Sequence, residues 1–119
     1  MDWIRWGSLI AMGGVLLGAF GAHALKATLS PEAKEWYHTA VFYHLVHALA
    51  LLAVGWLSVL RAGRGSVPVA GWLFLFGILL FSGSLYAMSV TGIRKLGMIT
   101  PIGGMALVLG WLALAIAAR

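Results

Sequence analysis

An all-α integral membrane protein, an antiparallel bundle of four transmembrane helices, is the fold class this chain predicts. Three observations lead there. Hydrophobic residues make up 62% of the 119 residues and charged residues only 9%, against roughly 25% charged in soluble domains. The mean hydropathy is +1.00. Asp, Glu, Lys and Arg are absent from 6–25, 36–60, 65–93 and 96–118, and each gap reaches the roughly 20 residues that cross a hydrocarbon core of about 30 Å. The helices of a soluble globule would carry polar faces, which these segments lack. A single four-helix domain, 1–119, is expected, with little chain to spare.

The first helix is expected over 3–27. Arg5, the apolar run after it and "AHA" at 22–24 loosely resemble a secretory signal with a small-residue cleavage site. The basic region is thin, with Asp2 beside Arg5, and a histidine inside such a site is unusual, so the segment is read as a retained helix. Ser30 followed by Pro31 marks a helix start, a side-chain cap and then a proline whose missing N–H costs nothing there. Glu32 and Glu35 suit the positive end of the helix dipole. The second helix is expected over 32–60, entering the bilayer at the interfacial aromatics Trp36 and Tyr37.

The short polar turn "RAGRGSVP" (61–68) makes the second and third helices antiparallel neighbours. The third is expected over 68–90. "GIRKLGMIT" then leads to Pro101, with Thr100 as the expected cap. A fourth helix over 101–118 is about 27 Å long, just sufficient to span.

The net charge of +5 does not point to nucleic acid, because every basic residue stands at a segment end, where loops meet lipid headgroups. The lipid bilayer is the expected partner. Four spans place both termini at one end with Arg5, Arg61, Arg64 and Arg119; Lys26, Lys34, Arg94 and Lys95 stand at the other. The tie leaves orientation undecided by the positive-inside rule, and both termini in the cytoplasm is the expectation. With no cysteine, thiolate chemistry and disulfides are excluded.

Polar groups inside hydrocarbon carry the functional information, since leaving them unsatisfied is costly. On the second helix, at about 100° per residue, His38 shares a lipid-facing stripe with Phe42, Leu45, Leu49 and Leu52. Tyr43, His44 and His47 fill an arc of about 100° flanked by small residues, which mark helix contacts in membranes. On the third helix Ser82, Tyr86 and Ser89 share a face, with Gly83 allowing close approach. "TPIGG" (100–104) suggests either an ordinary proline-started helix or a recessed N-terminus whose free N–H groups near Gly103 and Gly104 face a ligand. These placements predict a polar cleft between the midplane and the end away from the termini, with a drier half below it.

The histidines have several readings. They could only bond across helices, relay protons or touch a solute, or ligate a metal. His44 and His47 are spaced to share a metal, but a third ligand is needed, and Asp2, Glu32 and Glu35 all lie outside the spans. No metal or cofactor is predicted. Gly14, Gly18 and Gly21 form a packing seam, and His23 lies about 140–200° around the helix from them.

"GAFGAHAL" (18–25), "YHLVHALALL" (43–52), "LLFSGSLY" (79–86) and "LGMITPIGG" (96–104) resemble, in order and over nearly the whole chain, the YgdD-like family of small bacterial inner-membrane proteins, related to a small mitochondrial transmembrane protein of animals. The resemblance implies a four-helix membrane protein in the bacterial inner membrane, in a family whose function is uncharacterised. It matches His23, Tyr43, His47, Ser82, Ser84, Tyr86, Thr100, Pro101, Gly103 and Gly104 to motif positions. At the His44 position it allows glutamine, which keeps hydrogen bonding but makes a poor metal ligand.

The function expected is binding or passage of a proton or small solute in contact with His47, Tyr43 and Tyr86. A structural or accessory subunit and a haem- or quinone-binding subunit are the alternatives. Self-association is expected, because four spans enclose little pore volume. No nucleophile–base pair, carboxylate dyad or phosphate loop stands at usable spacing for an enzyme.

Overall fold

The computed structural model describes residues 1–119 and holds four long helices and no strand. They are α1 (Trp3–His23), α2 (Pro31–Leu60), α3 (Ser66–Thr91) and α4 (Thr100–Ala117), the last entered through a 3₁₀ turn, Arg94–Met98. All four are long and apolar enough to cross a membrane. The fold class is the all-helical membrane bundle that the charge-free segments predicted.

The boundaries have local causes. α1 stops at His23, four residues short of the expected end, where the Ala24 and Leu25 N–H groups both return to the Phe20 carbonyl and the chain turns. Ser30 caps α2, its hydroxyl accepting from the Ala33 N–H at 3.1 Å. α3 closes on Gly92, whose φ of +73° is a left-handed cap that glycine adopts without strain. Thr100 does not cap α4. The Ile99 carbonyl already accepts from Ile102 and Gly103 as the 3₁₀ turn winds into the helix, so no cap position is free.

Neighbours in sequence are neighbours in space: α1 packs on α2, α2 on α3 and α3 on α4, with a small α2–α4 contact. The result is a flattened bundle of 49 × 26 × 18 Å, with α2 and α3 central and α1 and α4 at the edges. Its larger apolar cluster, including Trp3, Leu51, Val54, Val67, Phe74 and Leu107, fills the half nearer the termini. Small residues set the spacing, as in other membrane bundles. Gly103 lies against the α3 backbone at Leu80 and Phe81, and Gly110 lies under the Phe74 ring. Gly83 does not make the close contact expected of it: a Cβ there would meet nothing within 4 Å, because that side of α3 faces outward between its neighbours.

Candidate functional site

Two aromatic residues of α2 cross to α1 by the same device. Gly14 and Gly21 leave the α1 backbone bare, so a side chain laid over either can reach the carbonyl four residues earlier, which the helix points along its axis. Leu45 and the edge of the His44 ring lie over Gly14, and the His44 Nε2 is 2.7 Å from the Ile10 carbonyl. The Tyr37 ring covers Gly21 and its hydroxyl donates to the Leu17 carbonyl. Both donors and both glycines are seven residues apart, which keeps each pair on one face of its antiparallel helix.

The partners of His44 decide its tautomer. A carbonyl only accepts, so Nε2 carries the proton, and Nδ1 accepts from the Tyr86 hydroxyl of α3 at 2.9 Å. Tyr86 reaches His44 because long helical side chains lean toward the helix N-terminus; its ring also meets the edge of Tyr37, with centroids 5.4 Å apart. One imidazole thus joins three helices. Ser82 adds a second α3–α2 link, donating to the Ala40 carbonyl at 2.8 Å.

His47 belongs to a separate cluster. Its Nδ1–H donates to the Tyr43 carbonyl of its own helix at 2.8 Å, and its Nε2 accepts from the Trp111 indole N–H of α4 at 3.0 Å. Tyr43 stacks on it at 7° between ring planes, and Phe74 packs beside it. A second proton on this ring would set Nε2–H against the Trp111 N–H, two donors facing each other. The geometry therefore suits a neutral imidazole that fastens α4 to α2. No buried side-chain nitrogen or oxygen lacks a hydrogen-bond partner in the chain.

The single polar cleft expected around His47, Tyr43 and Tyr86 is replaced by these two clusters, because the α2 arc is wide enough to face α1 and α4 at once. Ser89 and Ser84 each bond their own helix, and Ser84 also meets the Thr100 hydroxyl of α4 at 2.6 Å. Gly103 does not present a free N–H to a ligand: its N–H returns to Ile99 and its Cα side is pressed on α3. Gly104, by contrast, borders open space. His23 is exposed at the end of α1, outside both clusters, and His38 is exposed on α2. No three His, Asp or Glu side chains stand close enough to hold a metal ion.

Three contributors escaped the sequence reading. Tyr37 is buried rather than interfacial, Trp3 crosses from α1 to cover Gly71 of α3, and Trp111 binds His47. Tyr37 alone left a signal, its seven-residue spacing from His44. The other two depend on which helices meet.

Two lateral clefts flank the clusters. One of about 450 Å³ lies over His44 between α1 and α3, bordered by Trp6, Ile10, Gly13, Leu75 and Leu79. The other, about 570 Å³, lies between α2 and α4 over Phe81, with Tyr43, His47, Gly104, Leu107 and Trp111 around it.

Four apolar antiparallel helices, bonded to one another by their intramembrane polar groups, define a small polytopic membrane protein. The chain belongs to the family described as "Protein of unknown function (DUF423)", whose model matches residues 17–104. It is 48% identical over 112 residues to the UPF0382 membrane protein YwdK of Bacillus subtilis, covering 94% of this chain and 91% of that one. A UPF0382 membrane protein of Staphylococcus epidermidis, SERP0230, is 48% identical over 113 residues, with 93% and 89% coverage. One from Haemophilus influenzae is 43% identical over 112 residues, with 91% and 88% coverage. No solved structure gives a significant match.

Proposed function

We propose that this protein binds a small, largely apolar ligand that enters sideways from the bilayer into the cleft between α2 and α4. The observation that carries the reading is the make-up of that cleft. Its volume of about 570 Å³ falls in the range of small-molecule sites, which are mostly apolar with a few polar groups that fix orientation. His47 and Trp111 satisfy each other, whereas Tyr43, 38% exposed, keeps its hydroxyl free for a ligand. The ligand class is a lipophile with one hydrogen-bonding group, such as a quinone or a prenyl or acyl compound. Passage of protons draws no support from His44 and His47, whose ring nitrogens are all engaged by partners within the bundle. Haem ligation would require Ile10 or Trp111 to withdraw first.

Gly104 supplies the test, because a side chain there meets Phe81 only at an ordinary 3.5 Å and grows into the cleft. Protein purified from its native membrane should carry an organic-extractable compound enriched over bulk lipid. Gly104→Leu should lose it, and Tyr43→Phe should weaken retention about tenfold, near the value of one hydrogen bond. Equal extracts from native protein and Gly104→Leu would refute the reading.

A second reading, an accessory or self-associating subunit, is favoured by the exposed flank of α1, where Met12, Val15, Leu16 and Phe20 are uncovered. A stoichiometric protein partner or a dimer mass in the same preparation, with no enriched compound, would favour it instead.

We further place the chain in the bacterial inner membrane, in line with its YgdD-like resemblance, with both termini in the cytoplasm. Since the chain has no cysteine, single cysteines report orientation directly. Ala27→Cys should react with an impermeant maleimide on intact spheroplasts and Gly63→Cys only after lysis. The reverse pattern would invert the topology.

A further inference from the structure

We propose that a cationic pocket at the α1–α2 turn holds the headgroup of an anionic phospholipid. The pocket, about 370 Å³, is bordered by Gly21, Ala22, Lys26, Lys34 and His38. Gly21 and Ala22 end the apolar run of α1, so the pocket stands at the hydrocarbon boundary, where phosphates lie. Its lysines have no carboxylate partner. The chain's ion pair at this end joins Arg94 to Glu32 at 2.7 Å, with Arg94 also over the Trp36 ring, and Glu35 does not border the pocket. Directly below His38, on the same face of α2, Phe42 and Leu49 are 62% and 60% exposed, an apolar track on which an acyl chain can lie. Two unpaired ammonium groups above an uncovered hydrocarbon stripe match a diester phosphate with its tails. A zwitterionic headgroup would bring its own cation to the lysines, so anionic lipid is the occupant that fits.

Each lysine near an anionic headgroup strengthens attachment by roughly fivefold. The test is native mass spectrometry of the full chain in micelles, titrated with phosphatidylglycerol or phosphatidylcholine. One phosphatidylglycerol should be retained more tightly than phosphatidylcholine. Lys26→Gln with Lys34→Gln should weaken it by roughly twenty-fivefold and leave phosphatidylcholine unchanged. Lys26→Arg with Lys34→Arg, which keeps both charges, should retain the affinity. Equal retention of the two lipids, or undiminished phosphatidylglycerol binding by the glutamine pair, overturns the proposal. So does loss of binding in Arg61→Gln with Arg64→Gln, at the opposite end. Displacement of the lipid by inorganic phosphate at millimolar concentration would make this a free-anion site and overturn the lipid assignment.

Discussion

Replacing Gly103 with valine is expected to cost about 3 kcal/mol or more, at or above the upper end of ordinary overpacking. The reason is the identity of the obstacle. A Cβ at Gly103 would meet the Phe81 N and the Leu80 carbonyl carbon, and backbone atoms of a regular helix cannot rotate aside as a side chain can. α3 and α4 must then move apart along their length, lifting Leu107 from Gly77 and Phe74 from Gly110. Neighbouring glycines sharpen the comparison. Gly104 has only ring carbons of Phe81 nearby, and Gly83 has nothing within 4 Å. Gly83→Ala should be neutral or stabilising by up to about 1 kcal/mol, the helix propensity of alanine over glycine. Equilibrium unfolding in mixed micelles ranks Gly103→Val, Gly83→Ala and Gly83→Val. A Gly103→Val protein no less stable than its Gly83→Val counterpart would refute the packing role.

His44→Ala should cost about 2–3 kcal/mol, the larger of the two histidine effects. Hydrogen bonds between membrane helices average only about 0.6 kcal/mol, with a maximum near 1.7, so one lost bond would not suffice. His44 makes two, to different helices, and its removal leaves the Tyr86 hydroxyl without its acceptor at a half-buried position, which costs about 1 kcal/mol more, the lower end for an unsatisfied group. Tyr86→Phe alone removes donor and need together and should cost no more than about 1.7 kcal/mol. The double variant should then fall short of the sum, because the orphaned hydroxyl is gone in it. Strict additivity in the unfolding cycle would show that the 2.9 Å contact carries no energy. His47→Ala should be milder, since Trp111 is 44% exposed and its indole can turn toward other partners.

Much of the architecture was written in the chain. Charge-free segments of 20 residues or more located the spans, Ser30–Pro31 located the start of α2, and the glycines at 14, 18 and 21 marked the face of α1 that meets α2. The polar residues of α2 and α3 were also recognisable as facing the bundle, because hydrocarbon forces them inward. What could not be read was which polar group bonds which. Tyr43, His44 and His47 share an arc on the wheel, yet His44 turns to α1 and α3 while His47 turns to α4. Thr100 has the chemistry of a cap and instead meets Ser84. Trp36 and Tyr37 are adjacent and alike in sequence, but one lies beneath Arg94 at the boundary and the other is buried on Gly21.

The division has a physical origin. Hydrophobic burial in a bilayer depends on each segment's own composition, and helix caps depend on residues three or four apart, so both are local and legible in sequence. A cross-helix hydrogen bond depends on the rotation and depth of two helices at once. Those are set by where glycines let backbones approach, at Gly14, Gly21 and Gly103. The sequence by itself determined that there are four helices in a membrane and that most polar residues of α2 and α3 turn inward; only the tertiary structure, through those close approaches, decided that Tyr37 and Trp3 are buried and that the polar residues form two separate clusters with lateral clefts beside them.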